Sequence, residues 1–172
     1  MFGVVSADGH HVRVRDWDGH RLGRRVRSPR AIQKVMDDSS AAAQPEPGLD
    51  LDHLVADVLD AAIEVHRTLG PGFLEAIYEQ SLCIELGLRG ISFARQASAH
   101  VHYKGHVVGD ARVDLLVDRR LIVELKAAEH LAPIHTAQVM SYLKAMRLPL
   151  ALLINFGGAV LLRGVRRVIL SR

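Results

Sequence analysis

A long segment of alternating apolar and polar residues, positions 97–129, most constrains how this chain can fold. It reads ASAHVHYKGHVVGDARVDLLVDRRLIVELKAAE and is rich in Val, Ile and Leu. Two turn signals divide it, Lys104-Gly105 and Asp118-Arg119-Arg120. Alternation interrupted by short turns is typical of hairpins, so the segment predicts three successive antiparallel strands. Short turns also fix which residues face one another across neighbouring strands.

Helical patterns precede and follow these strands. From Leu51 to Leu69 the apolar residues fall on one helical stripe, which Asp50 or Asp52 can cap and Gly70-Pro71 ends. The remaining predicted elements are helices at 74–86 and 133–147 and strands at 150–155, 159–162 and 165–170. The order predicts an α/β domain with a central mixed sheet of four or five strands. The first two helices should cover one face of that sheet and the third helix the other.

Residues 1–49 differ in composition from the rest of the chain. Lys and Arg outnumber Asp and Glu in residues 1–36, and residues 37–50, DDSSAAAQPEPGLD, have the composition of a linker. We predict a basic, poorly ordered arm and linker over residues 1–49, with at most one hairpin, and a compact domain over residues 50–172. Such an arm either contacts nucleic acid or is a solvated tail, and both interpretations fit its composition.

Composition excludes several classes of protein. A net charge of +3 and a pI near 9.3 are compatible with a polyanionic partner but do not demand one. Cys83 is the single cysteine, which excludes a disulfide framework within the chain and is typical of a reducing cytoplasm. The N-terminus lacks the apolar core of a secretory signal. The most apolar stretch, residues 148–162, is shorter than the roughly 20 residues that a membrane-spanning helix needs. We expect a soluble, cytoplasmic protein.

Charged residues interrupt strands that otherwise have the pattern of buried ones. In LIVELKA, Glu124 and Lys126 lie two positions apart and share one strand face. Counting back across the turn at 118–120 places Asp114 directly opposite Glu124, with Cβ atoms roughly 5 Å apart. Two carboxylates at that spacing repel each other unless a cation lies between them, and hard oxygen ligands favour Mg²⁺ or Mn²⁺.

A metal ion bound by Asp114 and Glu124 would activate water and stabilise a phosphoryl transition state. Lys126 would then orient or deprotonate the water, or neutralise developing charge. The simpler alternative is an ion pair at the end of a strand, in which Asp114 or Glu124 binds Lys126 or Arg112.

Three stretches resemble one known family. Asp114 followed by Glu124-Leu125-Lys126, in this order of helices and strands, resembles the PD-(D/E)XK nuclease superfamily. GFLEAIY, residues 72–78, resembles the signature of the small bacterial GxxExxY proteins, a branch of that superfamily. DLLVDRRLIVELKA and AQVMSYLKA, residues 114–127 and 137–145, look like the same branch. Val113 stands where the superfamily name has proline, a position that varies widely in the superfamily.

The resemblance implies a restriction-endonuclease-like core of order αβββαβ and a nuclease dependent on Mg²⁺ or Mn²⁺. It implies that Glu75, on the helix after Gly70-Pro71-Gly72, is a third carboxylate beside Asp114 and Glu124, and that the Leu125 carbonyl is a further metal ligand. The residues that would contact DNA or RNA are Arg112, Gln138, Tyr142 and Tyr78. Two alternatives stay open: Glu75 is an ordinary first-turn acid, and Tyr78 is a core residue.

Other functions compete with the nuclease hypothesis. The chain could retain the nuclease fold as a non-catalytic scaffold or partner-binding protein, or could bind nucleic acid without cleaving it. The apolar segment 161–170 would form a sheet edge that invites pairing with a second copy. A homo-oligomer is therefore expected to be compatible with either function.

Overall fold

The structure is a computed structural model that describes residues 2–5, 11–17 and 47–171. The other positions, including 18–46 of the predicted arm and linker, lie outside this description. The described part contains three α-helices and one seven-stranded sheet. In chain order the elements are β1 (Phe2–Val5), β2 (His11–Asp16), α1 (Pro47–Leu69), α2 (Glu75–Leu88), β3 (Phe93–Tyr103), β4 (His106–Val117), β5 (Leu121–Lys126), α3 (Pro133–Met146), β6 (Leu150–Asn155), a 3₁₀ turn (Leu161–Gly164) and β7 (Val165–Ser171).

The sheet is mixed, as the element order predicts. Its strand order is β1-β2-β7-β6-β5-β4-β3. Strands β5 and β6 are parallel and α3 connects them, whereas all other neighbouring pairs are antiparallel. The expected αβββαβ core is present as α2, β3, β4, β5, α3 and β6. A central mixed sheet with flanking helices is therefore confirmed.

Two hydrophobic clusters hold helices against opposite faces of this sheet. Apolar side chains of α1 and α2 pack on one face with Leu121, Val123 and Leu125 of β5. On the other face, Val139 and Leu143 of α3 pack with the alternate residues of the sheet. The free cysteine on α2 is buried in the cluster on the α1–α2 face. The predicted distribution of the helices over the two faces is confirmed.

The N-terminal hairpin joins the sheet. Strand β1 pairs with β2, and β2 pairs with β7 from His11↔Ser171 to Asp16↔Arg166. The segment 161–170 is therefore not a free edge, and the argument for pairing with a second copy along it was wrong because β2 already occupies that position. The edge strands of the described sheet are β1 and β3.

The predicted strand at 159–162 is also wrong. Residues 157–160 form a turn and bends, and a 3₁₀ turn follows at Leu161–Gly164. A Cβ atom on Gly157 would lie 2.2 Å from the carbonyl oxygen of Ala128, so the backbone approaches the end of β5 too closely for any larger residue. An apolar segment is held there by a loop contact and does not pair as a strand.

In the described ranges, no helix combines the length and apolar character that crossing a membrane requires.

Candidate active site

Asp114 and Glu124 face each other at the point where β4 separates from β5. The ladder between these strands runs from Val117↔Leu121 to Leu115↔Val123 and ends one residue before Asp114 and Glu124. The backbone N–H of Leu125 donates a 2.8 Å hydrogen bond to Oδ2 of Asp114. The structure thus places the Asp114 carboxylate beside Leu125 and close enough to Glu124 to raise the pKa of that acid.

Glu124 is an acid in a place that disfavours its charge. The residue is 3% exposed, and its Oε2 is buried without a hydrogen-bond partner. Burial, followed by repulsion from Asp114, raises the pKa of Glu124 from 4.5 to about 7. Burial also raises the pKa of Asp114. Two acids that both resist ionisation, one with an unused oxygen, form a pair that a cation would stabilise.

Lys126 places an ammonium in contact with Glu124. Its Nζ lies 3.0 Å from Oε1 of Glu124 and donates a 2.7 Å hydrogen bond to the carbonyl of Leu125. Burial lowers the pKa of Lys126, but the nearby carboxylates of Glu124, Glu75 and Asp114 together outweigh burial and hold that pKa above its ordinary value. A lysine kept in its charged form can orient water and neutralise charge, but it is a poor base at neutral pH.

Glu75 lies at the rim of this group. It is in the first turn of α2, its side chain is 43% exposed, and its Oε1 lies 3.7 Å from Nζ of Lys126. Within residues 47–171, no three His, Cys, Asp or Glu side chains are close enough together to hold a metal ion. The predicted convergence of three acids is therefore incomplete, because Glu75 reaches Lys126 and not the two strand carboxylates.

The residues present fit a divalent cation nonetheless. The unpaired oxygen of Glu124 and the raised pKa values of Glu124 and Asp114 describe a site in which bound positive charge would remove unfavourable energy. Both donors are hard carboxylate oxygens, which suit Mg²⁺ or Mn²⁺. The carbonyl of Leu125 already accepts a hydrogen bond from Lys126, so only its second lone pair is available to a metal ion.

Gln96 and Glu79 also belong to the site, although no pattern in the sequence predicts them there. Nε2 of Gln96 lies 2.8 Å from Oε1 of Glu79 and 3.4 Å from Oδ1 of Asp114. Gln96 has φ = +52°, a left-handed conformation that is costly for a residue with a Cβ. Glu79 is 7% exposed and bonds Arg95 at 2.8 Å. The network links α2 to the Asp114 carboxylate through β3.

The alternation of β4 changes at this network. Val113 packs against the α3 face of the sheet, whereas Leu115, two positions later, packs against the α1–α2 face. The strained residue Gln96 lies at the corresponding position of β3, between the pairs Arg95↔Leu115 and Ala97↔Val113. A local twist thus sets the direction of Asp114, and period-two counting cannot reveal it.

Tyr78 does not have the position predicted for it. Its side chain is fully buried and stacks on Phe156, with ring centroids 4.6 Å apart. Its hydroxyl donates to the carbonyl of Gly70 at 2.7 Å and accepts from the N–H of Phe73 at 3.1 Å. A phosphate has no access to this hydroxyl, so the prediction that Tyr78 contacts nucleic acid is corrected. Tyr78 is the core residue that fixes the loop leading to Glu75.

The other three residues predicted to contact nucleic acid, Arg112, Gln138 and Tyr142, are exposed or half-buried. Gln138 and Tyr142 are half-buried on α3, and Nε2 of Gln138 donates a 2.6 Å hydrogen bond to the Tyr142 hydroxyl. Arg112 is exposed on β4, two residues before Asp114. Within residues 47–171, no hydrogen bond or ion pair joins these three side chains to Asp114, Glu124 or Lys126.

Asn155 anchors the end of the strand that carries Lys126. Asn155 is 4% exposed and lies beside Lys126 in the parallel ladder. Its amide accepts from the N–H of Ala128 at 3.0 Å and donates to the carbonyl of Ala128 at 2.8 Å. The N–H of Phe156 donates to the carbonyl of Lys126 at 2.7 Å. These bonds fix the backbone that follows the lysine, from its carbonyl group to Ala128.

Comparison with known proteins completes the description. No curated protein and no solved structure matches the chain. A sequence model of the PD-(D/E)XK nuclease superfamily matches residues 52–168, which include α2, the carboxylate pair, Lys126 and α3. The match covers more than half of the sequence, and the chain therefore belongs to the PD-(D/E)XK nuclease superfamily.

Proposed function

We propose that this protein is a metal-dependent nuclease that hydrolyses phosphodiester bonds of DNA or RNA. The observation that carries the proposal is the buried, unpartnered Oε2 of Glu124, opposite Asp114 and beside the ammonium of Lys126. The ion pair with Lys126 engages Oε1 of Glu124 and leaves Oε2, a hard oxygen donor, available to a metal ion. The superfamily supports nuclease-type chemistry at such a site.

Each residue of the site has a distinct role in this proposal. Asp114 and Glu124 would hold Mg²⁺ or Mn²⁺, with the Leu125 carbonyl as a further ligand. When bound, such an ion supplies Lewis acidity that lowers the pKa of water and stabilises negative charge on a phosphoryl group. Lys126 keeps a positive charge at the site, so it orients the attacking water and balances charge on the phosphate. Glu75 holds Lys126 from the solvent side.

The substrate contacts form an outer part of the proposal. Arg112 would bind a phosphate, because its exposed guanidinium offers paired donors. Gln138 and Tyr142 would contact the strand together, because their mutual hydrogen bond fixes both side chains on one face of α3. Residues 50–172 would form the catalytic domain, and β1 and β2 from the preceding segment extend its sheet by two strands. The GxxExxY branch, a cytoplasmic location and a homo-oligomer stay predictions.

Divalent-ion binding and cleavage test the proposal together. Calorimetry should detect Mn²⁺ binding to the wild-type protein, and Glu124→Gln should remove that binding. With Mg²⁺ or Mn²⁺, the wild type should degrade a mixed DNA and RNA substrate, and Lys126→Met should slow cleavage at least ~100-fold while still binding Mn²⁺. Glu129→Gln is the matched control, because Glu129 carries the same carboxylate three residues beyond Lys126 on a 90% exposed side chain.

The outcomes separate the competing functions. A folded wild type that binds neither Mn²⁺ nor nucleic acid would overturn the proposal in favour of a scaffold. Salt-dependent nucleic-acid binding that is unchanged in Glu124→Gln and never leads to cleavage would favour a binding protein.

A further inference from the structure

The hairpin of β3 and β4 extends well past the rest of the sheet. Strand β4 pairs with β5 only over Leu115–Val117, but it pairs with β3 as far as Tyr103↔His106. Every residue from His100 to Asp110 is exposed. We call this segment, His100–Asp110, the ribbon. A two-stranded ribbon exposed on both faces is only marginally stable by itself, so its length needs an explanation beyond packing.

The ribbon carries its lysine at the tip and its acid at the base. Asp110 is its single acid, and that carboxylate is 2.5 Å from Nδ1 of His100. Its other ionisable groups are Lys104, His102, His106 and the hydroxyl of Tyr103. Arg112 extends the same strand toward the catalytic carboxylates. The positive charge of the ribbon therefore lies at its tip, and its carboxylate lies at the base in a hydrogen bond with His100.

Lys104 occupies a conformation that a lysine does not favour. It has φ = +47° and Gly105 has φ = +84°, so both residues of the turn are left-handed. Turns of this kind prefer Asn-Gly, Asp-Gly or Gly-Gly. Nζ of Lys104 lies 5.5 Å from the centroid of the Tyr103 ring, which holds the ammonium at the tip. A strained position that retains a charged residue indicates a use for that charge.

We propose that the ribbon lies in the major groove of double-stranded DNA, and this inference rests on the nuclease function proposed above. The major groove of B-form DNA is ~12 Å wide and admits a two-stranded β-ribbon. The corresponding groove of A-form RNA is deep and narrow, and it excludes side chains. The substrate class is therefore duplex DNA, with Lys104 at the far end of the contact.

The length of the ribbon sets the length of that contact. Asp114 lies ten residues after Lys104 along the hairpin, a span of roughly 30 Å at ~3.4 Å per residue. The tip would therefore contact the duplex away from the scissile phosphate. The ribbon would bind a duplex on one side of the cleavage site.

Fluorescence anisotropy in EDTA isolates binding from cleavage. The probes are a 24-base-pair DNA duplex, the RNA duplex of the same sequence and the corresponding single DNA strand, each measured across a series of KCl concentrations. The test variant is Lys104→Asn, which removes the charge but suits a left-handed turn. The matched control is Arg119→Asn, because Arg119 is an exposed cation with φ = +58° at the opposite end of β4.

The proposal predicts a specific pattern of affinities. The wild type should bind the DNA duplex more tightly than either other probe. Lys104→Asn should weaken duplex binding several-fold and reduce the slope of log K against log salt by about 0.9, the loss of one phosphate contact. Arg119→Asn should leave both quantities unchanged. Thermal unfolding should show that Lys104→Asn is at least as stable as the wild type.

Several results would overturn it. Equal effects of Lys104→Asn and Arg119→Asn, or tighter binding of RNA duplex or single-stranded DNA, would exclude groove binding by the ribbon. Val107 and Val108 are about 60% exposed, so a second copy is the rival occupant. The ribbon is a dimer contact if the wild type is a dimer that the double substitution Val107→Thr/Val108→Thr dissociates and if DNA affinity does not change in Lys104→Asn. If duplex binding depends on Lys104 but no metal supports cleavage, the ribbon proposal stands and the nuclease proposal fails.

Discussion

Glu124 is held in the native state against two unfavourable effects. Burial removes water from its carboxylate, and the Asp114 carboxylate lies opposite on β4. In the unfolded chain neither effect operates, and the carboxylate ionises near its ordinary pKa of 4.5. The difference in the pKa of Glu124 between the folded and unfolded states reflects how strongly the site disfavours negative charge.

Stability without metal should therefore fall as pH rises. Between pH 4.5 and about 7 the folded state retains a proton on Glu124 that the unfolded state has lost, so the free energy of unfolding decreases across this window. A shift of this size corresponds to roughly 3–4 kcal/mol at ~1.4 kcal/mol per pKa unit. Urea unfolding in EDTA at pH 5, 6, 7 and 8 measures the decrease.

The Glu124→Gln variant is the control for this pH dependence. Its amide carries no titrating charge, so its stability should change much less between pH 5 and 8. Mn²⁺ at pH 8 should stabilise the wild type and not the variant, because ligand binding to the folded state adds to its stability. Parallel pH profiles for the two proteins would contradict the assignment of the raised pKa to Glu124.

Gln96 combines a backbone cost with a side-chain contact, and substitutions can separate them. Gln96→Ala retains the left-handed strain and loses the bonds to Glu79 and Asp114, whereas Gln96→Gly loses the same bonds and relieves the strain. We expect Gln96→Ala to be less stable than Gln96→Gly by about 1 kcal/mol, the cost of a Cβ at positive φ. Both variants should cleave more slowly than the wild type.

Unfolding and initial cleavage rates together check this prediction. If the side-chain contact positions Asp114, the two variants should share the same loss of activity despite their different stabilities. Gln96→Gly with wild-type activity would show that the amide does not position the carboxylate.

The site residues differ in how well the sequence alone predicts their positions. The turn at 118–120 fixes the register, so Asp114 opposite Glu124 follows from counting residues. Gln96 carries no such signal, because its contact depends on a left-handed φ that no local pattern requires. Tyr78 is three positions from Glu75 on α2, yet Tyr78 is buried and the Glu75 side chain is 43% exposed. Tertiary packing decides these two cases.

At the scale of elements, the end of β5 is positioned by its neighbour β6. The amide of Asn155 bonds both backbone groups of Ala128, and Gly157 permits the close approach that this contact needs. The sequence predicts β6 with its observed bounds because six consecutive buried residues leave a clear apolar pattern. It does not predict the loop that follows, since apolar residues held by a turn resemble a strand when only composition is considered.

Gly157→Ala should disrupt this contact. Its Cβ would lie 2.2 Å from the Ala128 carbonyl oxygen, so the loop or the end of β5 must move, at a cost of about 1–3 kcal/mol or more. Because Lys126 lies two residues before Ala128, cleavage should fall together with thermal stability. Differential scanning calorimetry and cleavage rates measure the two effects.

Gly158→Ala is the matched control for that loop. At this position the nearest atom to an added Cβ is 4.0 Å away, so the substitution should change neither stability nor activity noticeably. Equal effects of the two substitutions would show that general loop rigidity, and not the approach to Ala128, is responsible.

At the scale of the whole molecule, the order of the sheet joins the two ends of the chain. The αβββαβ core could be predicted because each of its elements carries a local periodic signal. The pairing of β2 with β7 could not, because its partners are at least 150 positions apart and neither strand specifies the other locally. Arg166 reinforces this pairing with an ion pair to Asp16 at 3.5 Å, and the N–H of Trp17 bonds the carbonyl of Val165 at 3.2 Å.

Removing β1 and β2 should convert β7 into an exposed edge. A chain that begins at residue 18, with an added Met, would leave the backbone of Val165–Ser171 unpaired on one side, next to the apolar side chains of Val168, Ile169 and Leu170. Such an edge is a template for pairing with another chain. We expect a lower melting temperature and concentration-dependent self-association, measured by calorimetry and sedimentation velocity, whereas the full chain should associate less.

A charge on the exposed edge provides the decisive comparison. Adding Leu170→Lys to the shortened chain should reduce self-association without restoring its melting temperature, since a lysine on an edge strand opposes pairing but does not replace the lost hydrogen bonds. If the shortened chain stays monomeric and as stable as the full chain, β2 contributes little to the sheet. If the full chain self-associates and Leu170→Lys does not change that association, any interface between copies lies away from β7, at the free edges of β1 or β3.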